Sequence, residues 1–326
     1  MDWSLILNWV FVTALVTAAI RLAVPILLAT LGEIITERAG VLNLGLDGVM
    51  VMGGVTGFMA AYYLQSGPLA GVSSWLGLGA GMIAGMLMGL ILAVLSVTLR
   101  ADQVIVGVTL VVFGQGIANY LYRQAFSSLT ARTNGLPPLP IPGLSQLPVL
   151  GPMLFEHDAT VYLTAFLVLA VWFLLFRTTW GLRIRTMGEN PAAGETSGWG
   201  VHRTRYAAIL AGAALAGLGG AVLTGVQLRM FREGIMGGRG WIAVALVIFA
   251  RWQPSRALLG ALLFGLADSI QYRIQALSQI GRGTGAIPYE FLLMLPYVLT
   301  LAVLWFRTGR GAAPEVLGRP YIKGES

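Results

Sequence analysis

Apolar runs of roughly 20 residues recur along the whole chain, separated by short clusters rich in charge, glycine or proline. Each run is long enough to cross a hydrocarbon core of about 30 Å as a helix. Spans are predicted at about 5–30, 41–64, 75–99, 103–122, 160–177, 205–228, 240–251, 256–275 and 288–306. The first run is too long for a signal-peptide core and lacks a basic leader, so a retained span is expected. The seventh, "GWIAVALVIFAR", is too short to cross alone. It reads as a re-entrant segment or one half of a broken helix, tolerable only where protein or a water path surrounds it. The expected fold is all-α: a polytopic α-helical membrane protein of about 8–10 transmembrane helices, one short or broken, forming a single transmembrane domain over residues 1–326.

Composition supports this reading. Hydrophobic residues make up 56% of the chain and charged residues 11%, against about 25% charged in a soluble domain. The net charge of +7 does not call for nucleic acid, because the basic residues punctuate the apolar segments. They set orientation instead. With the loop after the first span placed inside and sides alternating, the inside set is the larger. It includes Arg38, Arg177, Arg183, Arg185, Arg203 and Arg205, whereas Arg123, Arg132, Arg232 and Arg239 fall outside. The N-terminus is then expected outside and the C-terminus in the cytoplasm. The proline-rich loop 123–159 is expected outside, and the basic loop 178–204 inside.

Several chemistries are disfavoured. There is no cysteine, so disulfides and thiolate chemistry are absent. His157 and His202 both fall in predicted loops, away from any buried metal centre. The lysine Lys323 sits in the tail followed by glycine, and no G-x-x-x-x-G-K-[ST] phosphate loop exists. No acid–histidine–serine set suggests an enzyme. No cofactor is expected, and ATP-Mg, if used, must be bound by another chain.

Glycines Gly77, Gly81, Gly85 and Gly89 recur every four residues in the third span. They form a stripe where another helix can approach closely, within this chain rather than at a subunit interface. In the inner loop, "ENPAAGETSGWG" reads as a two-turn helix following Glu189. Asn190 is its N-cap, Pro191 its first residue, and Gly198 the left-handed terminator. Its small residues Ala192, Ala193 and Gly194 would permit close contact with whatever orders it.

Polar residues within spans are costly and mark functional or packing sites. "GEIITERAGVLNLGLDGVMVMGG" (Gly32–Gly54) carries Glu33, Glu37 and Arg38, expected at a solvated cytoplasmic turn. Asn43 and Asp47, four apart, are expected on one helical face beyond it. Gln115 and Asn119 form a similar pair in the fourth span. In the eighth, Asp268, Gln271, Tyr272 and Gln275 follow the i, i+3, i+4, i+7 pattern and should face one way. Each set suits either a transport path for a hydrogen-bonding, stackable solute or a polar seam between helices.

These two regions resemble the permease subunits of bacterial ATP-binding cassette importers for nucleosides and simple sugars, related to ribose and branched-chain amino-acid permeases. The opening stretch is similar to the family's "GE…ERAGV.NIG.EG.M..GA" pattern, departing at Asp47, where glutamate is frequent. The second match runs from "MGENPAAGETSG" through "FREGIMGGRGWIAVALVIFARWQPSRALLGALLFGLADSIQYRIQ". The resemblance implies a shorter permease subunit and a path for a nucleoside or sugar. It also implies a coupling helix at Glu189–Gly198 docked on a separate ATPase, a second permease as heterodimer partner, and a periplasmic or lipoprotein substrate-binding protein. A self-sufficient secondary transporter is the competing reading. It would show paired broken helices and midmembrane ion-coupling acids in repeated halves.

Overall fold

A computed structural model describes residues 9–126, 131–280, 294, 298 and 313–322. The ninth expected span, 288–306, lies almost wholly outside these residues. Eleven α-helical elements are labelled here: α1 (Trp9–Arg38), α2 (Leu46–Leu64), α3 (Ser73–Ala93), α4 (Gln103–Ala125), α5 (Leu150–Leu154), α6 (Ala159–Arg177), α7 (Thr179–Glu189), α8 (Pro191–Thr196), α9 (Val201–Ala221), α10 (Arg239–Ala250) and α11 (Pro254–Ile280). Both α3 and α9 continue through a short π-helical stretch, Val94–Thr98 and Val222–Gln227. Six helices among the described residues are long and apolar enough to cross a membrane, making this a multi-pass membrane protein.

The segments begin where their side chains satisfy free amides. Asp102 accepts from the amides of Val104 and Ile105 to start α4, and Asp158 accepts from Thr160 to start α6. Inside α1, Pro25 has no N–H. The carbonyl of Arg21, one turn earlier, therefore lacks its helical donor, and the Gln227 side-chain amide supplies one.

At the centre stands α9, 89% of whose most apolar window is buried. Small residues allow its backbone to meet three neighbours. A Cβ on Gly32 of α1 would lie 2.2 Å from the Gly212 carbonyl, and one on Gly53 of α2 would lie 2.3 Å from that of Gly217. The α3 stripe packs inward as expected from sequence: a Cβ on Gly85 would lie 2.2 Å from the Ala213 carbonyl, and one on Gly77 2.6 Å from that of Gly57. Without Cβ atoms these helices gain dispersion contacts that bulkier side chains would forbid.

Three expectations from sequence require correction. The first helix runs to Arg38, so Glu33 and Glu37 are not at a wet turn: they are 0% and 1% exposed. The basic loop is largely helical, because "TWGLRIRTMGE" forms α7, capped by Thr178, whose hydroxyl oxygen accepts the Gly181 amide. Its arginines hid a short amphipathic pattern. His202 lies in the first turn of α9 rather than in a loop. The proline-rich segment 131–158 is irregular apart from α5, as its prolines require.

Candidate functional site

The chain between α1 and α2 turns back into the bundle. Gly40, at φ +83°, reverses direction, and residues 41–43 run without regular structure beside the last turns of α1 before a turn at 44–45. There Glu33 Oε1 accepts the Asn43 amide at 2.9 Å, and Gln103 Oε1 accepts that of Leu42 at 2.7 Å. So α2 starts deep. Gln115, about 18 Å along α4 from Gln103 at 1.5 Å per residue, reaches Asp47. Asn43 is therefore not helical, and it shares no helical face with Asp47. Its Oδ1 instead accepts the Gly45 amide at 3.0 Å, shaping the turn into α2.

A second interrupted crossing meets this one. After α9 the chain returns through the irregular residues 228–238 and then forms α10, only 12 residues long. At about 18 Å this helix covers roughly half a hydrocarbon core. The short segment is thus half of a crossing whose other half, residues 228–238, is non-helical. Its N-terminus abuts the N-terminus of α2. Asp47 Oδ1 accepts the Gly240 amide at 3.0 Å, and Asp47 Oδ2 accepts from Gln115 Nε2 at 3.2 Å. One carboxylate thereby serves the positive ends of two helices. A Cβ on Gly240 would lie 2.3 Å from the Asp47 backbone, which requires glycine there.

Beside this junction is a cavity of ≈160 Å³ lined by Asp47, Gln115, Asn119, Phe231 and Arg232 together with the glycine-rich turn Gly234–Gly238. The polar pairs of the second and fourth spans thus converge. Gln115 remains exposed and Asn119 half-buried, so the cavity opens on a face of α4 that the described residues leave uncovered. Above it, Tyr122 contacts Phe231 and Phe126 with ring centroids 5.0 Å apart in each pair, and Phe58 and Tyr62 continue the aromatic cluster.

Arg239, expected in an outer loop, is instead the first residue of α10, with a side chain only 12% exposed. Its Nη2 pairs with Asp268 Oδ2 at 3.2 Å and reaches the Tyr272 hydroxyl at 3.5 Å, while Nη1 donates to the Met236 carbonyl at 3.0 Å. Asp268 and Tyr272 therefore do share a partner. Gln271 is buried at 5% exposure and takes no part in these bonds. The side chain of Gln275 lies outside the described residues. Sequence reading missed Arg239 because a basic residue beside an apolar run normally marks the surface. The signal available was an unpaired acid, Asp268, in a neighbouring span.

At the other end of α10, Arg251 and Trp252 both adopt left-handed backbone, at φ 52° and 55°. This costly corner is held by Trp252 Nε1 donating to Glu37 Oε2 at 2.6 Å, and by Arg38 Nη2 donating to the Trp252 carbonyl at 3.4 Å. The buried carboxylates of α1 are thus structural acceptors: Glu33 fixes the segment entering α2, and Glu37 fixes the exit from α10.

On the basic side, α8 has the local structure that its sequence specifies. Asn190 Oδ1 accepts the Ala193 amide at 3.0 Å, Pro191 is the first residue, and Gly198 closes the helix at φ +80°. Ala193, Thr196 and Ser197 are exposed. Gly194 is not presented outward: it is buried, and a Cβ there would meet Met187 Cε at 2.2 Å. Arg38 approaches Glu189 at 3.9 Å, linking α8's base to the end of α1.

Comparison with known proteins agrees with this architecture. The family model for the "Branched-chain amino acid transport system / permease component" matches residues 15–304. The chain is 36% identical to the guanosine ABC transporter permease protein NupQ of Bacillus subtilis, over 95% of this chain and 97% of that protein. It is 31% identical to the nucleoside ABC transporter permease protein NupC of Lactococcus lactis subsp. cremoris, over 92% and 94%. A putative glucose ABC transporter permease protein of Haloferax volcanii is 42% identical over 82% and 80%. No solved structure matches the chain. With a family model spanning most of its length and relatives aligned nearly end to end, this multi-pass chain belongs to the branched-chain amino acid transport system / permease component family.

Proposed function

We propose that this chain is a transmembrane permease subunit of an ATP-binding cassette importer for nucleosides. The observation that carries this reading is the polar cavity at Asp47, Gln115 and Asn119, set deep between two interrupted crossings and open on the bare face of α4. A second permease of different sequence covers that face, and the path runs between the two. Amide and carboxylate groups suit the hydrogen-bonding edges of a base or ribose, and the adjoining aromatic cluster suits stacking. The relatives named for guanosine and nucleosides support this substrate class. A simple sugar is the second reading, favoured by the relative named for glucose.

The subunit sits in the bacterial cell membrane as a single transmembrane domain, N-terminus outside and C-terminus in the cytoplasm. A substrate-binding protein delivers solute to the outer face. A separate ATPase subunit binds ATP-Mg and engages α8 within the cytoplasmic segment 178–204. The chain itself performs no catalysis.

The test is reconstitution of this permease with its ATPase, second permease and binding protein in proteoliposomes. ATP-dependent uptake of labelled guanosine, competed by nucleosides and not by glucose, is the expected result. Competition by glucose alone favours the sugar. The interrupted helices α2 and α10 also suit an ion-coupled carrier. Uptake by this chain alone, driven by an ion gradient without ATP, would replace the importer reading.

A further inference from the structure

The segment from Pro314 to Ile322 lies far in sequence from every group discussed so far, yet it ties four of their elements together. The Val316 amide donates to the Gly188 carbonyl at the end of α7, at 3.0 Å. The Gly318 amide donates to the Gly40 carbonyl, at the turn that enters the 41–45 segment, at 3.3 Å. The Arg319 carbonyl accepts from Arg205 Nη1 of α9 at 3.4 Å. The Tyr321 hydroxyl donates to Glu195 Oε2 on α8. That bond pushes the Tyr321 phenol up from its ordinary value.

Arg205 explains why the segment seats where it does. The side chain is 1% exposed, and its Nη2 faces the Met187 carbonyl at 3.5 Å. A buried guanidinium needs acceptors, and the strap supplies one from its backbone. Gly40 provides the space: a Cβ there would meet Arg205 Nη2 at 3.0 Å and Val316 Cγ2 at 3.2 Å. Pro314 is buried and closes over Gly188.

We propose that Pro314–Ile322 is a positioning strap of the coupling machinery, which locks α8 to the Gly40 turn so that a push on α8 reaches the segment leading to Asp47. The proposal rests on the reading of α8 as the coupling helix. A six-residue helix has little stability of its own, so its orientation depends on what clamps it. With the strap, α8 and the Gly40 turn are joined through the Tyr321 and Gly318 hydrogen bonds. Without it, α8 keeps its packing on α7 and the start of α9 but loses this tie to the Gly40 turn, and motion dissipates before reaching the 39–45 segment.

The test uses the full reconstituted complex with three forms of this subunit: wild type, a truncation after Ala313, and Tyr321→Phe. Uptake, ATP hydrolysis with and without loaded binding protein, and amide exchange over residues 190–198 are measured. The truncation should keep basal hydrolysis, lose about tenfold in stimulation and uptake, and exchange faster across α8. Tyr321→Phe, which removes one hydroxyl and no ring, should shift the same readouts in the same direction by up to roughly fivefold. Should the truncation fail to assemble, Tyr321→Phe decides alone. Wild-type uptake and unchanged exchange in Tyr321→Phe, with a normally stimulated wild type, overturn the strap. A wild-type complex that shows no stimulation by the binding protein overturns the importer reading instead.

Discussion

The Asp47 carboxylate of α2 caps α10 across 193 positions of sequence, accepting the Gly240 amide at 3.0 Å. The start of α10 would otherwise leave this amide without an acceptor in an apolar bundle, at a cost that lipid cannot relieve. The same side chain faces the polar cavity through its bond to Gln115. The helix cap and the cavity wall are therefore one group, which gives an acid within a span its partners.

Asp47→Ala leaves the Gly240 amide unpaired and should lower stability by about 1–2 kcal/mol, the cost of a lost cap. Asp47→Asn keeps an acceptor oxygen and should lose less. Thermal unfolding of the detergent-solubilised protein distinguishes them. Equal loss in both variants would mean that the charge, not the cap, matters for stability.

The Arg239–Asp268 pair joins α10 to α11 at 3.2 Å with both side chains nearly buried. Arg239→Ala should destabilise by about 3–5 kcal/mol, because it strands a buried carboxylate. Combining Arg239→Met with Asp268→Leu should recover most of that loss. If the double variant melts no higher than Arg239→Ala, the pair is not coupled as described.

Helix contact through bare glycine separates two positions in α3. A Cβ on Gly85 would lie 2.2 Å from the Ala213 carbonyl, whereas one on Gly79 meets nothing within 4 Å. Gly85→Ala should reduce folded yield and melting temperature by an amount typical of overpacking, about 1–3 kcal/mol. Gly79→Ala should be neutral or slightly stabilising. Fluorescence size-exclusion profiles over a temperature series provide the comparison, and identical behaviour would reject the packing argument.

The proposed coupling through α8 is tested by a probe on its exposed face. Gly194→Trp is unsuitable, since the side chain would strike Met187 of the same chain. Thr196→Trp projects from an exposed position. It should leave insertion and melting unchanged while abolishing binding-protein-stimulated ATP hydrolysis and uptake. Full stimulation with tryptophan at 196 would mean that the ATPase does not dock there.

Orientation is open to a direct measurement, because the chain has no cysteine of its own. Gln146→Cys, in the proline-rich segment proposed to lie outside, should react with an impermeant thiol reagent in intact cells. Thr196→Cys should react only after permeabilisation. The reverse pattern would invert the topology derived from arginine placement.

Much of this protein was legible in one dimension because the bilayer restricts what a chain can do. Long apolar runs must become helices, so the all-α multi-pass fold and most span positions follow from hydropathy alone. Local chemistry was equally readable: the Asn190 cap, Pro191 at the helix start and Gly198 at its end depend on neighbours within a few residues. The glycine stripe of α3 announced a close helix contact, although not which helix would fill it.

Tertiary structure alone decided where the polar groups go. Glu33 and Glu37 resemble a solvated turn in sequence, and become buried acceptors only because residues 39–45 and Trp252 return to them. Asn43 and Asp47 have helical spacing, but Gly40 and the irregular residues 41–45 break the helix between α1 and α2. Arg239 looks like a surface charge until Asp268, 29 positions away, is brought to 3.2 Å. Periodicity reports a residue's own helix, whereas the partner that makes a buried charge affordable comes from another, and that pairing exists only once the helices have packed.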